Sequence, residues 1–96
     1  MSLEVRWSRR SLDELDALDS YFANDAPEYA DRVGNAAIEA AKFLSELPLA
    51  GEEIAKTGQR KWRVAGTRYV LLYRPEAKVL RILHVVHAAH DWKKFI

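Results

Sequence analysis

The stretch that decides the fold is Lys61–Trp92, KWRVAGTRYVLLYRPEAKVLRILHVVHAAHDW. In Trp62–Val64 and Leu80–Val86, bulky apolar residues alternate with polar ones at the period of a half-buried strand. Between them Tyr69–Tyr73 is apolar throughout, as expected of a central strand covered on both faces. Gly66 and the segment Arg74–Lys78 supply the breakers, so the connections are short and the three strands run antiparallel. Everything upstream reads as material that covers one face of this meander.

Leu3, Val5 and Trp7 alternate with Glu4 and Arg6, the pattern of a short strand joining an edge of the sheet. Its register and direction do not follow from the pattern. Ser8 or Ser11 then caps a helix. Ser11-x-x-Glu14 fits a capping box, and Asp13, Glu14 and Asp16 place negative charge near the positive end of the helix dipole. Leu12, Leu15, Leu18 and Phe22 form its apolar stripe. Asn24–Pro27 ends this helix and opens a second, expected over Pro27–Leu47, with Ala30, Val33, Ala37, Ala40 or Ala41, Leu44 and Leu47 buried. Gly34 costs about 1 kcal/mol inside a helix and so suggests a close crossing with the first helix. Pro48 stops the helix, and Leu49–Gln59 reads as an exposed loop. The expected fold is a two-layer α+β domain: an N-terminal strand and a helical hairpin packed on a mainly antiparallel sheet.

Ninety-six residues with 49% hydrophobic and 30% charged content make one globular domain, residues 1–96. The chain has no cysteine, which removes disulfides and thiolate metal sites. No N-terminal apolar run resembles a signal peptide, and no stretch approaches the roughly 20 apolar residues of a membrane span. A cytoplasmic protein without membrane contact is expected. The net charge of +1 conceals a split: residues 1–48 carry 5 Lys/Arg against 10 Asp/Glu, and residues 49–96 carry 10 against 4. A basic sheet half points to a polyanionic or acidic partner, or else the two halves complement each other within the fold.

Few residues suggest chemistry. His84, His87 and His90 are spaced by three, but strand alternation sends His84 and His87 to opposite faces, so no metal site is expected. There is no Gly-x-Ser-x-Gly elbow, P-loop or dinucleotide fingerprint, and no cofactor is expected. Arg60, Lys61 and Arg63 surround Trp62 in a basic, aromatic cluster, with Arg68, Arg74 and Arg81 on nearby strands. Such a surface can contact phosphates while an aromatic stacks on a base, although alternation favours Trp62 pointing into the core. The tail His87–Ile96 carries Trp92, Phe95 and Ile96 among charges. It reads either as a short helix folded onto the sheet or as a partner-binding segment.

Several segments together carry a resemblance. They are Val5-Arg-Trp-Ser, Asp13-Glu-Leu before Tyr21-Phe22, Pro27 opening an alanine-rich helix, and Leu47-Pro48 with Gly51. Further along come Arg63-Val64, Leu72-Tyr73-Arg74 and Ile82-Leu83-His84-Val85-Val86-His87. In this order the chain resembles the ParE branch of the RelE/ParE superfamily of bacterial type II toxins over nearly its whole length. The resemblance implies a toxin that blocks DNA gyrase and stabilises its cleaved-DNA complex without being an enzyme. It also implies a cognate ParD-like antitoxin that wraps the toxin in a hetero-oligomer. The RelE branch instead cuts mRNA on the ribosome with basic strand residues and often a C-terminal tyrosine. After the last strand the ParE pattern is His-Gly-Ala-Arg-Asp-Trp, against His87-Ala88-Ala89-His90-Asp91-Trp92 here, and the final segment has no Tyr. The resemblance thus implies target contacts at Arg60, Arg63, Arg74, Arg81, His87, His90, Asp91, Trp92 and Lys93. Antitoxin contacts are expected at Leu15, Leu18, Tyr21 and Phe22. A metal-free nuclease would use His90 as acid or base with Arg60, Lys61 and Arg63 stabilising phosphate. A toxin homologue kept only for antitoxin binding is the third reading.

Overall fold

The computed structural model describes residues 2–89 and 92–95. In chain order the elements are β1 (Glu4–Trp7), α1 (Arg9–Phe22), α2 (Pro27–Glu46), β2 (Glu52–Glu53), β3 (Arg60–Arg63), β4 (Tyr69–Pro75), β5 (Val79–His87) and a 3-10 turn, Trp92–Phe95. One five-stranded sheet has the order β1-β5-β4-β3-β2. The pairs β2–β3, β3–β4 and β4–β5 are antiparallel as the meander requires, whereas β1 lies parallel to β5, Val5 opposite Leu80. The expected α+β, two-layer architecture is the observed one, and β1 does take an edge.

Period-2 alternation divides the sheet residues between two faces. Tyr69, Leu71 and Tyr73 of β4, with Leu80, Ile82 and Val85 of β5, pack under Val33, Ala37, Ala41 and Leu44 of α2. Leu3, Val5, Trp7 and Trp62 join this core from the two flanks. Val70, Leu72 and Val86 form a smaller apolar cluster on the opposite face, covered by Ile54, Ala88 and Trp92. Tyr69–Tyr73 is therefore buried on both faces, which is why its sequence does not alternate.

Details at the element ends differ from the sequence reading. Of the two serines that could cap α1, Ser8 does so: its Oγ accepts the Ser11 N–H at 3.0 Å and donates to the Leu83 carbonyl at 2.9 Å. Leu83 is the extra residue of a bulge, since Leu72 pairs with His84 and Tyr73 with Ile82. One serine thus fixes both a helix start and a strand irregularity. Ser11 is the fully buried residue of the first turn, and Leu12 stays 43% exposed. Helix α2 ends one residue early, so Leu47 is exposed rather than core. Gly34 marks no close crossing, because a Cβ there would meet nothing within 4 Å.

The segment expected to be an exposed loop contains β2 and a buried Gly51. A side chain at Gly51 would collide with the Tyr73 ring and hydroxyl and with the Lys61 carbonyl. The Tyr73 hydroxyl accepts the Gly51 N–H and donates to the Pro48 carbonyl, both at 2.9 Å. Desolvation by burial raises the Tyr73 pKa above 10.0, outweighing the Gly51 hydrogen bond and the Arg60 charge, which lower it.

Candidate functional site

The sheet face turned away from the helices gathers most of the basic strand residues. In β3, Trp62 points into the core, as alternation favours, so Lys61 and Arg63 stand on the outer face opposite Leu72 and Val70. Arg74 continues the outer series of β4, and Arg81 pairs with it across β5. Arg6, opposite Arg81 in β1, completes the row on the same face. Glutamates answer part of this charge: Glu52 lies 3.2 Å from Lys61, Glu76 lies 2.8 Å from Arg81, and Glu4 pairs with Arg6. Arg63 and Arg74 take part in no ion pair among the described residues.

The tail returns to this face. Trp92 is half-buried on the outer apolar cluster, with the Lys61 Nζ 4.0 Å from its ring centroid and the Lys93 Nζ 5.7 Å away. Between Trp92, Val70, Ala88, Lys61 and Arg63 lies a cleft of about 350 Å³. The segment thus folds onto the sheet and still presents Lys93 and Lys94 at the surface. His90, Asp91 and Ile96 lie outside the described residues.

Arg60 does not join this group. It shares the parity of Trp62, and its Nη1 donates to the carbonyls of Gly51 at 2.8 Å and Leu49 at 3.2 Å. The trio Arg60, Lys61 and Arg63 is therefore split between the two faces. Alternation alone carried that information, but proximity along the chain had grouped the residues. Arg6 was missed for the converse reason: its face was legible, while its place beside Arg81 required the parallel pairing of β1 with β5.

A second site lies on the helix-covered side of the sheet, where the junction of α1 and α2 meets the start of β4 and the end of β5. Phe22, Tyr29, Arg68, Tyr69 and His87 line a cleft of about 410 Å³. Edge-on ring contacts run from Tyr21 to Phe22 at 4.8 Å and from Phe22 to Tyr29 at 5.1 Å. The Tyr29 hydroxyl accepts the Arg68 backbone N–H at 3.1 Å, and the His87 ring meets Tyr69 at 5.5 Å. A smaller groove of about 280 Å³ shares Tyr69 and His87 and continues past Leu18 and Glu14 towards Lys94. Of the residues expected to meet an antitoxin, Leu15 and Leu18 are half-buried against the core and Phe22 lines the cleft, while Tyr21 is 76% exposed. His87 belongs here rather than to the basic face.

The pairing of β1 with β5 ends at Trp7 opposite Ile82, and among the described residues no strand continues that edge. Glu14 fills the gap: Oε1 accepts the Val85 N–H at 2.8 Å and Oε2 lies 3.1 Å from His84 Nδ1. Both side chains are more than four-fifths buried. Glu14 thus satisfies a strand-edge donor, not the helix terminus that the capping-box reading gave it.

Residues 5–92 match the family model described as the ParE toxin of the type II toxin-antitoxin system parDE. A protein of Sinorhizobium fredii (strain NBRC 101917 / NGR234), Y4kP, a toxin by name, is 32% identical over 92 residues, covering 96% of this chain and 95% of its own. Among solved structures, a chain of the chromosomal ParDE system from P. aeruginosa superposes with a TM-score of 0.74 at 24% identity, over 90% of this chain and 96% of that one. A chain of the toxin-antitoxin complex RelBE2 from Mycobacterium tuberculosis gives 0.68 at 26% identity, over 91% and 99%. The YoeB/ParE toxin from Agrobacterium tumefaciens gives 0.62 at 15% identity over 88% and 98%, a likeness of fold alone. With a family model covering nearly the whole chain and a relative aligned end to end, the protein belongs to the ParE toxin family of type II toxin–antitoxin systems.

Proposed function

We propose that this ParE-family toxin arrests growth in the cytoplasm by binding DNA gyrase and stabilising its cleaved-DNA complex, and that a ParD-like antitoxin neutralises it. The observation that carries the reading is the outer sheet face, where Lys61, Arg63, Arg74 and Arg81 surround an apolar patch closed by Trp92. A rigid sheet with an aromatic anchor and a basic rim suits a protein–DNA complex, because it offers desolvated contact area and phosphate partners together. The antitoxin reading rests on the cleft at Phe22, Tyr29 and Tyr69 and on exposed Tyr21, rings that offer a partner segment contact area at little entropic cost. The RelBE2 neighbour, itself a toxin-antitoxin complex, supports it.

The test is a supercoiling and cleavage assay with purified gyrase, with and without the antitoxin. Accumulation of cleaved DNA, suppressed by antitoxin, is expected. No effect on gyrase, together with mRNA cutting in a translating extract, would move the protein to the ribosome-dependent class. Silence in both assays would leave a homologue retained for antitoxin binding.

A further inference from the structure

Arg6, Arg81 and Arg74 are direct cross-strand neighbours on three adjacent strands of the outer face. Like charges placed opposite one another in a sheet are destabilising, so such a row is kept against its own repulsion. Its internal compensation is partial. Arg6 and Glu4 are each 59% exposed in their ion pair, Arg81 and Glu76 are 45% and 37% exposed, and Arg74 has no acidic partner among the described residues. Exposed pairs of this kind are weak and exchange readily for a stronger anion. The Arg74 side chain is half-buried and passes beside the Gly58 turn, where a Cβ would lie 3.8 Å from its Nε, so its course is confined.

We infer that this arginine row binds the phosphodiester backbone of a nucleic acid, as a contact separate from the Trp92 patch. Guanidinium forks bind phosphate oxygens in a bidentate way, and a phosphodiester backbone repeats that acceptor along a line, as a row of cross-strand arginines requires. Strands about 4.8 Å apart place the outer arginines roughly 10 Å from each other, and their long side chains can extend to neighbouring phosphates of one DNA strand. The acidic helices face the opposite side, so the molecule approaches a polyanion sheet-first. The inference deepens the gyrase–DNA reading by giving the toxin its own grip on the nucleic acid. It rests on that reading only for the identity of the strand bound.

The test is fluorescence anisotropy of the purified toxin with a labelled DNA duplex across a salt series. A variant with Arg6→Gln, Arg74→Gln and Arg81→Gln is compared with Arg9→Gln, Arg10→Gln and Arg32→Gln, the same charge change on the helices. The row variant should bind at least about tenfold more weakly at 0.1 M salt, with a log–log salt slope shallower by about 2.7. The helix variant should stay within about twofold of the unmodified chain, by the same counting of phosphate contacts. Arg74→Gln alone breaks no ion pair and should remove about 0.9 from the slope, which covers the case of a triple variant that folds poorly. Equal losses in both triple variants, or no binding by the unmodified chain, would overturn the inference. So would polyglutamate competing as well as DNA at equal charge. Tighter binding of single-stranded RNA of the same length would uphold the phosphodiester contact while removing the gyrase–DNA reading.

Discussion

Tyr73 shows how one side chain converts a loop into structure. Its hydroxyl holds Gly51 and Pro48 from within the core, and no larger residue fits at Gly51. Tyr73→Phe should cost about 1–3 kcal/mol in urea unfolding, because a buried N–H and a carbonyl lose their partner. The same burial has a pH consequence. Since the folded-state pKa is raised, the folded chain holds its phenolic proton where the unfolded chain releases it. The associated stability is present below pH 10 and is lost as pH rises from there, and Tyr73→Phe should remove that part of the alkaline loss. Gly34 is the opposite case. With open space around it, Gly34→Ala should stabilise the protein by about 0.5–1 kcal/mol, seen as a higher urea midpoint at unchanged slope.

At the scale of elements, the join between α1 and β5 is made by polar groups as much as by packing. Ser8 grips the bulge at Leu83 and Glu14 grips Val85 and His84, so the helix is registered on the strand at both points. Glu14→Ala should destabilise by about 1–3 kcal/mol, leaving a strand-edge N–H and a largely buried imidazole without their carboxylate. A double-mutant cycle with His84→Ala should return a coupling of about 0.5–3 kcal/mol; additive effects would show that His84 is held by its other contacts instead. Because the same helix lines the aromatic cleft, the Glu14 variant should also bind antitoxin more weakly if the cleft is the docking site.

For the whole molecule, the division of charge along the sequence becomes a division in space, with acidic helices on one side and a basic sheet face on the other. Trp92 sits where the tail closes the apolar part of that face. Trp92→Ala should weaken target binding by about thirtyfold, roughly 2 kcal/mol for a buried aromatic anchor, and growth inhibition should fall with it. Circular dichroism and copurification with antitoxin should be unchanged. Full toxicity in that variant would place the target contact elsewhere, and the arginine row would be the next surface to test.

The strands of the meander, both helices and the inward course of Trp62 were legible in the sequence because hydrophobic period reports which face an element buries. The same rule, applied to Arg6 and Arg60, places Arg6 on one face of its strand and Arg60 on the side opposite Lys61, although the sequence reading had grouped Arg60 with Lys61 by proximity. What period does not carry is the partner of each face. Only tertiary pairing set β1 parallel to β5 and brought Arg6 beside Arg81, residues 75 positions apart in the chain. Only tertiary contact took Glu14 from its local capping pattern to Val85, and buried Gly51 beneath Tyr73 in a stretch whose composition reads as exposed loop. Local sequence sets backbone preference and amphipathicity; the choice among competing long-range hydrogen bonds depends on which groups the packed elements bring within reach.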